Sequence, residues 1–205
     1  TLTGNFVVDG GTIKLDGNYP TGTENTALGD TALDSVQAGG NYNVVIGSRA
    51  GTNITTGDNN VGVGAYALCD IQTNSQNVAI GTEALKKNTA SDNTAVGYIS
   101  LRCNTTGASN TAVGVCSLNA NTTGANNVAV GFQALDSNTT ANENVAVGRC
   151  SLFANTEGTK NIAVGSYALD TNTTGDKNIA IGYQALDANT TADDNTAVGD
   201  SALKA

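Results

Sequence analysis

A chain of 205 residues with 18 Asp and Glu against 9 Lys and Arg carries a net charge of -9. That balance argues against nucleic acid or an anionic membrane as partner. Leu, Ile, Val and Phe make up only about a fifth of the residues, close to the composition at which a chain cannot bury enough apolar surface to fold as a globule.

No apolar run is long enough to span a bilayer and no secretory leader is visible, so membrane insertion is not expected. Met is absent altogether, and Ala205 falls partway through a repeat. The expectation is a segment of a longer or processed protein.

Residues 1–24 form their own section. The runs beginning at Asn5-Phe6 and Thr12-Ile13 read as short strands around Asp9-Gly10-Gly11, a hairpin signal. They predict an N-terminal cap or junction that shields the first edge of the repeat region.

From residue 25 to 205 the chain is one repeat domain. The phrase Asn-Val-Ala-Val-Gly-Phe-Gln-Ala-Leu at 127–135 has close copies beginning at Asn25, Asn43, Asn60, Asn77, Asn93, Asn110, Asn144, Asn161, Asn178 and Asn195. The spacing is 17 residues, with one of 18 after Asn25 and one of 16 after Asn77. Such a period is the signature of a solenoid, each repeat forming one coil.

Numbering each coil from its Asn, position two is Thr, Val or Ile and position three is Ala, except at Val45 and Gly62. Position four is always branched and apolar, and position five is always Gly. Positions six and seven vary freely. Position eight is Ala or Ser, and position nine is Leu except at Gly51. A polar link completes the coil, as in Asn121-Thr122-Thr123-Gly124.

Positions two to four predict a short strand, because β-branched residues suit a pleated surface and the side chains alternate faces. Both faces are apolar, so both are expected to be covered. Val128, Val130 and Leu135 are accordingly assigned to hold the coil. Ala129 and Gly131 then mark a contact surface for a neighbouring chain. Positions eight and nine predict a second brief strand, and the link predicts turns. Each coil brings only about three large apolar side chains, so a single thin rod is marginal and an oligomer about a common axis is expected. Eleven coils at about 4.8 Å per rung give a rod on the order of 50 Å long.

The copies of Asn77-Val-Ala-Ile-Gly81 resemble the head repeats of trimeric autotransporter adhesins, the YadA-like family. That resemblance covers residues 25–203 and implies a left-handed parallel β-roll packed as a homotrimer. The coils here are longer than the family's, by residues in the link. The long coils and the entry from Gly10 to Pro20 also resemble fibre and structural proteins of tailed phages, notably those infecting cyanobacteria.

For catalysis the residues offer little. There is no His, which removes the usual general base and metal ligand. Asp136, Asp170, Asp176, Asp187, Asp193 and Asp194 are scattered through the links and read as solvated loops. No cofactor or metal is expected.

Cys69, Cys103, Cys116 and Cys150 read as free thiols. Cys116 and Cys150 share position seven two coils apart, roughly 9–10 Å, beyond disulfide reach. Six Asn-x-Thr sequons, at Asn53, Asn104, Asn121, Asn138, Asn172 and Asn189, arise from the turn and need not signal glycosylation.

Tyr66, Tyr98, Phe132, Tyr167 and Tyr183 occupy positions six and seven and are candidates for stacking on a host-surface glycan or receptor. A rank of Thr106, Thr123, Thr140, Thr174 and Thr191, interrupted by Glu157, raises ice binding as a minor alternative. The reading is a non-enzymatic fibre segment that mediates attachment, located in a virion tail fibre or an extracellular surface appendage. The head of a cell-surface trimeric adhesin is the main alternative.

Overall fold

The computed structural model describes Gly22 and residues 24–204. The cap expected over residues 1–24 lies outside the described residues, apart from Gly22 and Glu24. Each Asn-led phrase supplies one three-residue strand: β1 (Thr26–Leu28), β2 (Val44–Ile46), β3 (Val61–Val63), β4 (Val78–Ile80), β5 (Thr94–Val96), β6 (Thr111–Val113), β7 (Val128–Val130), β8 (Val145–Val147), β9 (Ile162–Val164), β10 (Ile179–Ile181) and β11 (Thr196–Val198).

All eleven lie in one parallel sheet in chain order, and no helix occurs among the described residues. The chain is an all-β parallel solenoid, with ten turns between its first and last strands. Position pairs with position throughout: Ala129 lies between Ala112 and Ala146. The 16-residue coil keeps this register, with Val78 opposite Thr94, because the missing residue comes out of the link. Ten steps of about 4.8 Å make the strand column about 48 Å long.

Gly at position five turns the chain out of the strand. Gly131 has φ 137°, and a Cβ built on it would lie 2.7 Å from the carbonyl carbon of Gly148 in the next coil. No side chain fits there, and the backbone conformation is one only Gly adopts freely. The close approach is thus to the next turn of the same chain, which corrects the reading of Gly131 as a contact for a neighbouring chain.

Positions eight and nine do not form the expected second strand. They run through turns, and the Leu at position nine takes a left-handed conformation, with φ 50° at Leu118 and 54° at Leu135. Such a conformation costs roughly 1–2 kcal/mol per non-Gly residue. Burying a Leu side chain is worth about 1.5–3 kcal/mol and offsets it.

Leu135 and its equivalents from Leu68 to Leu169 are fully buried, as is the position-three Ala wherever it falls between β4 and β10. This reverses part of the expected assignment. Ala129 belongs to the interior of its own coil, whereas Val128 is half-buried on the outer face and Val130 is 36% exposed. The reason is volume. The Leu of position nine fills the coil opposite the strand, leaving room for only a methyl. In β3, where Gly62 replaces Ala, a Cβ would meet Leu68 Cδ1 at 3.2 Å.

Much of the remaining interior is polar. The position-one Asn residues form a ladder: Asn127 N donates to Asn110 Oδ1 at 3.0 Å, and Asn144 N donates to Asn127 Oδ1 at 3.0 Å. Most of these amides also tie down their own link, as when Asn127 Nδ2 donates to Ala141 O at 2.9 Å.

A second ladder runs through position twelve. Asn121 Nδ2 donates to Asn104 Oδ1 at 2.7 Å and to Gly124 O at 2.9 Å, and Asn138 Nδ2 donates to Asn121 Oδ1 at 2.8 Å. Asn104, Asn121, Asn138, Asn155 and Asn172 are completely buried. Satisfied in this way, buried amides cost little and fix the stacking register.

Candidate functional site

With the interior filled by Leu, Ala and Asn, function must reside on the outer surface. The first feature there is the strand face. Positions two and four of every strand point outward, and position four is apolar in all eleven copies. Ile80 is 42% exposed, and Ile46, Val113, Ile162 and Ile181 are exposed to similar degrees. A continuous apolar stripe about 48 Å long is unlike the scattered apolar residues of ordinary surfaces.

Beyond the Gly turn, positions six and seven separate the five candidate aromatics into two ranks. Tyr98, Phe132 and Tyr183, at position six, are 55%, 45% and 49% exposed. Tyr66 and Tyr167, at position seven, are half-buried and already partnered. The Tyr66 ring lies 5.7 Å from the Arg49 guanidinium carbon and 4.9 Å from Lys86 Nζ. Tyr167 lies 5.4 Å from that of Arg149 and meets Tyr183 edge-on at 6.3 Å. The exposed rank is therefore freer to meet a ligand.

Positions seven and ten form a strip whose charge changes along the rod. Near its start are Arg49, Lys86 and Arg102, with Glu83 between the last two: Lys86 Nζ is 2.8 Å and Arg102 Nη1 3.6 Å from the Glu83 carboxylate. The hydrogen bond from Lys86 holds the Glu83 carboxyl below its ordinary range. Toward the other end, position ten holds Asp136, Asp170 and Asp187. Burial, a shared hydrogen bond with Asp187 and the Asp187 charge push Asp170 up to about 7. Burial also raises Asp136.

All four cysteines are free thiols. Burial raises Cys69 and Cys116, which leaves them poor nucleophiles at neutral pH. Among the described residues no group of three or more His, Cys, Asp or Glu is placed to hold a metal ion, and no helix is long and apolar enough to cross a membrane.

The two Thr of each link do different things. The first donates its hydroxyl to the next coil, as Thr122 Oγ1 does to Thr139 O at 2.9 Å. The second, at Thr106, Thr123, Thr140, Thr174 and Thr191, is exposed. The shortened coil after Asn77 has no second Thr at all, a further break besides Glu157. Of the sequons, Asn104, Asn121, Asn138 and Asn172 are buried ladder members that no glycan could reach.

Sequence reasoning missed the Asn ladders. An Asn recurring at two fixed positions was the available signal, since a turn alone would tolerate Asp, Ser or Gly. In comparisons with protein-family models, curated proteins and solved structures, nothing matches this chain.

Proposed function

We propose that the chain is a non-enzymatic structural segment of a fibrous appendage of the phage tail-fibre kind. In this reading three copies associate through their strand faces into a rigid rod that projects a surface-contacting device. The observation that carries it is the apolar stripe of position four, flanked by Thr, Val or Ile at position two, on an otherwise acidic body. A stripe of that length needs a partner with matching pitch, and a second and third copy of the same coil supply one. The exposed aromatic rank of Tyr98, Phe132 and Tyr183 is then left at the rim for a glycan or receptor. The resemblance of Asn77–Gly81 and its copies to trimeric adhesin heads supports the same arrangement.

The test is the mass of the isolated protein in solution by light scattering. Three times the chain mass is expected, and a stable monomer overturns the reading. Replacing Val113 and Val130 together by Glu should dissociate the assembly. Ala129→Leu should instead overpack the coil and cost about 1–3 kcal/mol, while Gln133→Leu should stay within about 0.5 kcal/mol. If Ala129→Leu dissociated the assembly without loss of fold, the strand faces would not be the interface.

A further inference from the structure

The protein is acidic overall, yet four of its nine cations stand within four consecutive coils. Arg49, Lys86, Lys87 and Arg102 occupy positions seven, ten and eleven of the coils that begin at Asn43, Asn77 and Asn93. Spanning three rung steps, the group is about 14 Å long. The strip turns acidic on both sides of it: position ten carries Asp34 below and Asp136 above.

Arg49, Lys86 and Arg102 are organised rather than splayed. Tyr66 holds Arg49 and Lys86 against its ring, an arrangement that orients cations at little cost in entropy. These cations are also short of acceptors. The contacts from Lys86 and Arg102 to carboxylate both go to the single Glu83, and that of Arg102 is long at 3.6 Å. Asp70, in the coil between, is close enough for its charge to act on Lys86 but forms no ion pair with it. Arg102 Nε has no hydrogen-bond partner. Arg49 and Lys87 are exposed and, among the described residues, form no ion pair.

We propose that this strip binds a short stretch of an acidic saccharide, its carboxylates meeting Arg49, Lys86, Lys87 and Arg102. The inference rests on the attachment reading for its biological purpose, since it supplies the ligand chemistry of that attachment. A single thin chain suits a narrow patch bounded by Asp34 and Asp136. A nucleic-acid duplex or an anionic bilayer would extend onto the acidic surfaces on either side. Glu83 is the internal competitor: it occupies donors of Lys86 and Arg102 that the saccharide carboxylate needs.

The experiment is calorimetric titration of the whole chain with an oligogalacturonate, its methyl ester and a single-stranded oligothymidylate at low salt. Binding is expected for the oligogalacturonate alone, and it should weaken at least tenfold near 0.5 M salt, where the Debye length falls to about 4 Å. Replacing Arg49 and Lys86 together by Gln should weaken binding at least tenfold. Glu83→Gln should strengthen it severalfold, which a merely structural ion pair would not do.

No binding by the unaltered chain overturns the proposal, as does equal binding of the ester or the oligothymidylate. Weaker binding by the Glu83→Gln variant overturns it too. The mass measurement on the same sample keeps the two readings apart. A trimer that binds no acidic saccharide defeats only this site, and a monomer that binds it defeats only the fibre.

Discussion

The first three coils and the seven later ones share a backbone but hold their second corner together by different chemistry. At position twelve the early coils have Val36, Ile54 and Ile71, all buried. From Asn88 onward the same place is filled by the amide ladder. An apolar corner makes no demand on its neighbours beyond volume, so it tolerates irregularity. The 18-residue coil lies there, and so does Gly51, whose missing Leu is made good by Ile54 packing across the gap.

An amide corner is directional, and every member needs a partner above and below. The junction shows this directly. Beneath Asn88 stands Ile71, which offers no acceptor, and Asn88 Nδ2 turns instead to Asn77 Oδ1 at 3.2 Å and Ala90 O at 2.7 Å. The ladder starts by borrowing from the other ladder.

The strongest way to break the comparison is to place an apolar residue inside the amide region. Asn121→Leu leaves one side-chain N–H of Asn138 and the side-chain oxygen of Asn104 without their partner in the interior, for an expected loss of about 3–5 kcal/mol. Ile71→Val in the apolar region should cost only about 1 kcal/mol. Denaturant unfolding of the two variants checks the ratio, and equal losses would mean that the ladder contributes no more than packing.

A second test concerns pH and falls on the late coils alone. Asp170, raised to about 7, holds its proton in the folded chain at pH values where the unfolded chain has lost it. Folding therefore takes up a proton between about pH 4 and 7, and stability falls as pH rises through that window. The groups around it are Asp187, Thr171, Phe153 of the coil below and, beyond Asp187, Lys204, whose Nζ is 2.7 Å from Gln184 Oε1. The pair is only partly buried, so the effect is on the order of 1 kcal/mol. Amide exchange in the coils of Asn161 and Asn178 should accelerate from pH 5 to pH 8, after correction for the intrinsic rate, while the coils of Asn43 and Asn60 stay constant. Asp170→Asn should remove the difference.

The smallest expected effect sharpens what the two regions share. The residue before each position-one Asn is left-handed in both, as at Tyr42 with φ 57° and Lys177 with φ 54°. Tyr42→Gly and Lys177→Gly should each stabilise by about 0.5–1 kcal/mol or leave stability unchanged, to the same degree in either region. Thermal melting of the pair is the measurement, and a gain confined to one region would tie the strain to the corner chemistry.

The sequence by itself determined the period, the eleven strands at positions two to four, their parallel stacking and the Gly turn. Each comes from a local rule repeated at fixed spacing, and repetition leaves one way to stack. The division of the surface was also legible in part, since the freely varying positions six and seven do carry Tyr66, Tyr98, Phe132, Tyr167 and Tyr183. What only the tertiary structure decided was which face of the strand turns inward. Val128-Ala129-Val130 is apolar on both sides, so alternation alone cannot orient it. The choice depends on how much of the interior the left-handed Leu135 fills. Because that Leu leaves space for only a methyl, Ala129 goes in and the valines go out. The stripe expected to hold the coil became an exposed outer face.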